Sequence, residues 1–318
     1  MYRIGVDVGG TNLVAAVVNE DYQLVSVAKC KTAMPRPADA IVDDMARLVR
    51  EAAQSAGVAL SEVEMVGFGC PGTCNPDTGV VEFSNNLGFE NLPLKDMLSE
   101  RLDGMPVYIE NDANAAAIGE FLAGAAKGTK SCVCITLGTG VGGGVIIDGK
   151  LFSGGNFAGA ELGHTVIVHE GLPCTCGRNG CWEAYASATG LIRQTKEAME
   201  KAPDSVMWQL AGSLDKVSGR TAFDAMRKGD AAGKKVVDTY ISYVACGLVD
   251  MINIFQPDIL CVGGGICNEG DTLMKPLEDY IQTFRYSRYS SKQTKLCVAQ
   301  LGNDAGIIGA AYLDKVQK

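Results

Sequence analysis

Basic residues are in the minority in this chain. Its 318 residues include 28 Lys and Arg against 37 Asp and Glu, a net charge of −9. That argues against an extended nucleic-acid surface, which needs clustered Lys and Arg against phosphates. A small anionic ligand held by backbone amides stays open. Long apolar runs are absent, and none approaches the roughly 18 residues of a membrane span. The opening Met1-Tyr2-Arg3-Ile4-Gly5-Val6-Asp7 has no apolar core of a signal peptide. The expectation is a cytoplasmic protein with no membrane and no nucleic-acid partner. Histidine is scarce, with only His164 and His169. No G-x-x-x-x-G-K-[ST] occurs, which removes the P-loop. Low-complexity stretches are missing. With 47% hydrophobic and 20% charged residues, wholesale disorder is excluded.

Cysteine, in contrast, is plentiful at 12 residues, which suits a reducing compartment. The length is that of about two domains. Apolar blocks at 2–8, 13–18, 63–69, 106–110, 132–137, 141–147, 259–262 and 296–300 predict strands. Helical spacing predicts helices over 39–56, 113–126, 187–201, 231–255, 271–284 and 304–316. Gly57 follows the first of these as a helix terminator. Strands mixed with helices of this length imply an α/β fold. Residues 2–18 and 132–147 share a plan of strand, Gly/Thr tip and strand. That echo predicts either a duplicated fold with a cleft between its halves or two ordinary hairpins.

The tips are Gly9-Gly10-Thr11-Asn12 and Gly138-Thr139-Gly140. Glycine lets a backbone approach a phosphate, and successive N–H groups form an anion cradle. Asp7 ends the first strand beside its tip, where a carboxylate can hold magnesium through water for a nucleoside triphosphate. Gly263-Gly264-Gly265 follows the apolar strand 259–262 and would let a flat nucleoside lie on backbone. Gly138-Thr139-Gly140-Val141-Gly142-Gly143 also matches G-x-G-x-x-G. A second strand, not a helix, follows it, so a dinucleotide site is rejected.

Asn111 and Asp112 stand between the strand Val107-Tyr108-Ile109 and a helix. Such residues are ordinarily N-caps. One cap needs only one of them, and strand ends are where α/β sheets bind ligands. A carboxylate there can accept a proton from a substrate hydroxyl.

His164, Cys174, Cys176 and Cys181 supply one imidazole and three thiolates, a closed tetrahedral set for structural zinc. Gly177 and Gly180 let the loop wrap tightly. The alternative is a set of buried free cysteines. His169 is expected to be an ordinary strand or loop residue. A metal-bound imidazole needs an acceptor for its other N–H, which a sugar hydroxyl could be. Glu161 and Glu183 flank the loop and could bind sugar hydroxyls. Taken singly, each reads as an ordinary carboxylate.

Asp7-Val8-Gly9-Gly10-Thr11-Asn12, Cys70-Pro71-Gly72, Glu110-Asn111-Asp112, Leu137-Gly138-Thr139-Gly140, Glu161-Leu162-Gly163-His164 and Cys174-x-Cys176-Gly177-x-x-Gly180-Cys181-x-Glu183 together resemble the ROK family of repressors and sugar kinases. The likeness runs essentially end to end. It implies an actin-like (ribonuclease H-like) duplicated sugar kinase fold with an interdomain cleft. The expected domains are 1–111 plus 304–318, and 112–303 carrying the zinc loop.

The implied activity is ATP-dependent phosphorylation of glucose at its 6-hydroxyl, with Asp112 as general base. The resemblance further implies Gly72, Asn86, Asn111, Asp112, Glu161, His164 and Glu183 as sugar contacts. It implies Asp7, Gly9, Gly10, Thr11, Asn12, Gly138, Thr139 and Gly140 as phosphate and magnesium elements, and Gly264 and Gly265 as the adenosine contact. Many family members carry Trp where this chain has Phe89, which would keep an aromatic wall by the sugar. Members are often dimers or tetramers. N-acetylmannosamine, N-acetylglucosamine, fructose or allose could replace glucose, and polyphosphate could replace ATP. The other class is a sugar-responsive repressor. Its relatives carry a helix-turn-helix segment ahead of the kinase-like part, and an expected first strand at Tyr2 leaves no room for one.

Overall fold

The computed structural model describes residues 1–316. In chain order its first strands are β1 (Tyr2–Val8), β2 (Asn12–Asn19) and β3 (Leu24–Lys31), followed by helix α1 (Ala38–Ala56). Next come β4 (Val63–Cys70), β5 (Thr73–Asn75), β6 (Val80–Ser84), β7 (Phe89–Leu92), α2 (Leu94–Arg101), β8 (Val107–Asn111) and α3 (Asp112–Leu122). A second run opens with β9 (Cys132–Leu137), β10 (Val141–Ile147) and β11 (Lys150–Leu151). Helices α4 (Glu183–Ala186), α5 (Ala188–Lys201), α6 (Val206–Ala211), α7 (Thr221–Arg227) and α8 (Ala231–Phe255) follow. The chain ends on β12 (Ile259–Gly263), α9 (Asp271–Phe284), β13 (Lys295–Val298) and α10 (Asp304–Ala311). No described helix is long and apolar enough to cross a membrane.

The two main sheets have one plan. The first runs β3-β2-β1-β4-β8 and the second β11-β10-β9-β12-β13. In both, the opening strand is central, the next two continue outward on one side, and the last two on the other. β1 pairs antiparallel with β2 and parallel with β4, and β4 pairs parallel with β8. β10 pairs antiparallel with β11, and β12 parallel with β13. The repeated Gly/Thr hairpins therefore belong to a duplicated sheet, and the α/β expectation holds.

The chain divides into two compact units. Unit 1 comprises Met1–Cys134, Gly144–Ala160 and the segment from Ala299, and unit 2 comprises Ile135–Gly143 and Glu161–Val298. The boundary expected between residues 111 and 112 falls inside unit 1. The reason is the packing of α3 on α10. A Cβ on Gly119 would stand 2.1 Å from the Ala305 carbonyl oxygen, and one on Gly309 would stand 1.7 Å from that of Ala115. Only glycine permits backbones that close. Residues 317 and 318 of the expected C-terminal return lie outside the described residues.

Unit 1 has a core of Ile4, Val6, Leu13, Ile41, Met45, Phe68, Leu94 and Ile109, all essentially sealed from solvent. The apolar stripe of α1 supplies Ile41, Val42, Met45, Leu48 and Val49, and Gly57 terminates that helix in the left-handed region at φ 68°. α3 stops at Leu122, short of the expected 126. The Glu120 carboxylate takes the Ala125 N–H at 2.8 Å, and the Ala126 N–H turns back to the Glu120 carbonyl. The same buried carboxylate accepts the Gln300 and Leu301 N–H groups at 3.1 and 2.7 Å. The helix expected over 304–316 ends at Ala311 and gives way to a 3-10 turn, Leu313–Lys315.

Candidate active site and candidate metal centre

In unit 1 the strand β8 delivers Glu110, Asn111 and Asp112 to the start of α3. The cap is Asn111. Its Oδ1 accepts the Ala113 and Asn114 N–H groups at 2.9 and 3.1 Å, satisfying two orphan donors. Its Nδ2 donates to the Gly72 carbonyl at 3.0 Å. Gly72 sits at φ 104°, where a Cβ would strike the Phe83 carbonyl oxygen at 2.1 Å. Asp112 is the first residue of the helix, and the Ala113 N–H also reaches its Oδ1 at 2.9 Å. Burial raises the Asp112 carboxyl above its ordinary value, while backbone N–H bonds partly oppose that rise.

Asp7, near the end of β1, is raised to about 6 by burial and by the charge of Asp112. The Asp7 carboxylate therefore senses the Asp112 charge across a poorly solvated space. Gly306, in the first turn of α10, lies beside Asp7, with a Cβ position 3.9 Å from its Oδ1. The β1–β2 tip closes by Gly9 N–H to the Asn12 carbonyl at 2.9 Å, and Thr32 Oγ1 donates to the Gly9 carbonyl at 2.5 Å. Thr11 and Asn12 are exposed. Asn86 lies next to Gly10, its Cβ 3.6 Å from the Gly10 Cβ position. Phe89 is 1% exposed and packed in the core, so it forms no open aromatic wall.

In unit 2 the His164, Cys174, Cys176 and Cys181 donor atoms all lie within 4.8 Å of one another. Cys174 Sγ is 3.6 Å from His164 Nδ1, and Cys176 Sγ is 3.6 Å from Cys181 Sγ. A tetrahedron with metal–sulfur bonds of about 2.3 Å has edges of about 3.8 Å, so these spacings fit a four-coordinate zinc. The loop is folded by Cys174 N–H to the Arg178 carbonyl at 2.8 Å and Gly177 N–H to the Cys174 carbonyl at 3.0 Å. Glu183, opening α4, links this loop to the second hairpin. Its Oε2 accepts the Val141 N–H at 3.0 Å, and its Oε1 lies 3.4 Å from Thr175 Oγ1. Glu161 is exposed and precedes the 3-10 turn Leu162–His164, whose His164 N–H returns to the Glu161 carbonyl at 3.0 Å. His169 is an exposed loop residue.

The Gly138–Gly140 tip closes by Gly138 N–H to the Gly140 carbonyl at 3.0 Å. The start of α5 braces it, with Ala188 N–H to the Gly138 carbonyl and Thr189 Oγ1 to the Thr139 carbonyl, both at 2.8 Å. The positive end of a 14-residue helix thus lies against the turn. Gly264, at φ 105°, is seated against the end of β9, with a Cβ position 2.1 Å from the Leu137 carbonyl oxygen. Gly265 is open on its Cβ side. Tip and glycine cluster are therefore neighbours within unit 2.

Unit 1 holds the expected Asp7, Gly9, Gly10, Thr11, Asn12, Gly72, Asn86, Asn111 and Asp112. Unit 2 holds Gly138, Thr139, Gly140, Glu161, His164, Glu183, Gly264, Gly265 and the thiols. Sequence reasoning missed Glu110. This buried carboxylate accepts the Asn111 N–H at 2.9 Å and Asn114 Nδ2 at 3.0 Å, fixing the turn that carries Asp112. An acidic residue at the end of an otherwise apolar strand was the available signal. The bracing role of α5 had no signal beyond its Ser187 cap.

Residues 3–317 match the model of the ROK family. The chain is 39% identical to a glucokinase of Streptomyces coelicolor, over 98% of this chain and 96% of that one. It is 37% identical to a glucokinase of Thermotoga maritima, over 98% and 96% of the two chains. Among solved structures it resembles a ROK family glucokinase from Streptomyces griseus in complex with glucose and AMPPNP. There the TM-score is 0.82 at 38% identity, covering 98% of this chain and 99% of that one.

Proposed function

The chain belongs to the ROK family, and from that premise we propose that it is a glucokinase, transferring the γ-phosphoryl group of ATP to the 6-hydroxyl of glucose. Asp112 is the general base. Its carboxylate takes the 6-hydroxyl proton as that oxygen attacks the γ-phosphorus in line, and ADP leaves. The observation that carries this role is the division of labour at the start of α3. Asn111 caps the helix, so Asp112 is not needed as its cap. A carboxyl raised by burial is also a better proton acceptor at neutral pH than an ordinary aspartate.

Asn86, Asn111, Gly72, Glu161, His164 and Glu183 bind the sugar in this reading. Asp7 holds magnesium through water, and the ion supplies charge neutralisation on the phosphates. Gly9, Gly10, Thr11, Asn12, Gly138, Thr139 and Gly140 cradle the phosphates. Gly264 and Gly265 contact adenosine. Zinc bound by His164, Cys174, Cys176 and Cys181 stabilises the loop that carries Glu183 and supplies no chemistry. A compartment that keeps 12 thiols reduced, the cytoplasm, suits this chain, and membership of the family supports a homo-oligomer, dimer or tetramer, as the assembly to test.

The test is a coupled assay over glucose, N-acetylmannosamine, N-acetylglucosamine, fructose and allose, each with ATP and with polyphosphate. ATP with glucose should give the highest kcat/KM and yield glucose 6-phosphate. A higher value for another sugar or for polyphosphate would overturn the assignment of substrates.

A further inference from the structure

Beyond the His/Cys loop, a second pair of thiols is in contact. Cys261 on β12 and Cys297 on β13 are register partners in a parallel strand pair, and their Sγ atoms are 3.6 Å apart. Both lie in unit 2. Cys261 is fully buried, whereas Cys297 is part-exposed on an edge strand of its sheet. Neighbouring strands stand about 4.8 Å apart, inside the Cα span that a disulfide bridges. Closing the bond brings the sulfurs to about 2.05 Å, a movement within reach of side-chain rotation and a small strand shift. The equally close Cys176 and Cys181 are committed to the proposed metal set.

We propose that Cys261 and Cys297 form a reversible oxidation site, closed to a disulfide by a hydroperoxide such as hydrogen peroxide. Cys297 is the thiol within reach of solvent. Its thiolate attacks one peroxide oxygen, the O–O bond breaks, and a sulfenic acid forms on Cys297 as hydroxide departs. The sulfur of Cys261 then attacks the Cys297 sulfur. The S–O bond breaks, and hydroxide leaves with the Cys261 proton as water. Two thiols lose two electrons in all, and one peroxide becomes two waters.

The bond has a consequence for the turn that follows β12. Gly264 comes three residues after Cys261 and has no slack against the Leu137 carbonyl. Drawing β12 toward β13 displaces that turn. This second step rests on the assignment of Gly264 and Gly265 to adenosine, and on that reading the KM for ATP rises. The disulfide itself does not depend on the assignment.

The zinc-loaded chain is treated with stoichiometric hydrogen peroxide, alkylated and mapped by non-reducing peptide mass spectrometry. A peptide linking Cys261 to Cys297 is expected, with zinc content unchanged. The KM for ATP should rise several-fold and return with dithiothreitol. Cys297→Ser and, as a second variant, Cys297→Ala should lack the link and keep their KM through the same treatment. Oxidation of other thiols without a 261–297 link overturns the site. A link with an unchanged KM overturns the coupling to the turn. A chain with no glucose-phosphorylating activity that still forms the link fails the kinase reading alone.

Discussion

The two sheets of this chain repeat one strand order, yet the chemistry grafted onto them differs. The first sheet carries carboxylates. Asp7 and Asp112 sit at strand ends in a space dry enough to raise both, and hydrogen bonds from Asn111 and to Glu110 hold the turn in place. Between β11 and β12 of the second sheet the chain passes through a thiol-rich loop with little regular structure, where His164, Cys174, Cys176 and Cys181 gather. One region is positioned by its own core. The other adds to its own buried residues a His/Cys set that could hold a metal ion. One strand plan occurs twice, and the residues carried at its strand ends and loops differ.

Removing the proposed zinc should be the sharpest way to break the comparison. Cys181→Ser, or chelation, should abolish about one zinc per chain and lower the melting temperature strongly, since structural zinc contributes folding free energy on the order of 10 kcal/mol. Circular dichroism melts with metal analysis check this, and a metal-free chain with an unchanged melt would refute the metal centre. The second effect tests the frame of unit 1. Gly309→Ala places a Cβ 1.7 Å from the Ala115 carbonyl oxygen. Overpacking at fixed backbone costs about 1–3 kcal/mol or more, so denaturant unfolding should show at least that loss.

The third effect has the opposite sign. Asp7 is raised from 3.8 to about 6 in the folded chain, so the folded state binds more protons than the unfolded state between those values. Stability contributed by its neutral form is full below the unfolded value and is lost as pH rises to about 6. Asp7→Asn should therefore stabilise the magnesium-free protein at pH 7 by about 1–3 kcal/mol and flatten its stability between pH 4 and 6. It should also remove turnover. A destabilised Asn variant at pH 7 would contradict the dry-site account.

The strands and helices with strong periodicity were legible in the sequence. The strands expected at 2–8, 63–69 and 259–262 and the helix over 231–255 appear within a residue or so of their expected ends. The edge strand β3 was not, because its residues alternate outward on a half-exposed edge and carry Ser and Lys. The three-stranded sheet of β5, β6 and β7 is built from strands of three to five residues, too short for a period to register. The unit boundary was hidden because α3 is held by contacts with α10, far away in sequence. At the site, Asn111 and Asp112 were both visible as candidates. Which one caps and which one is left over is decided by side-chain geometry that spacing does not encode.

The most direct test of the central claim is Asp112→Asn, which keeps the shape of the side chain and removes its basicity. Calorimetry should find glucose binding within a few-fold of the parent, while kcat falls by about 10²–10⁴. Turnover near that of the parent, with glucose still bound, would show that the proton goes elsewhere and that Asp112 is not the base.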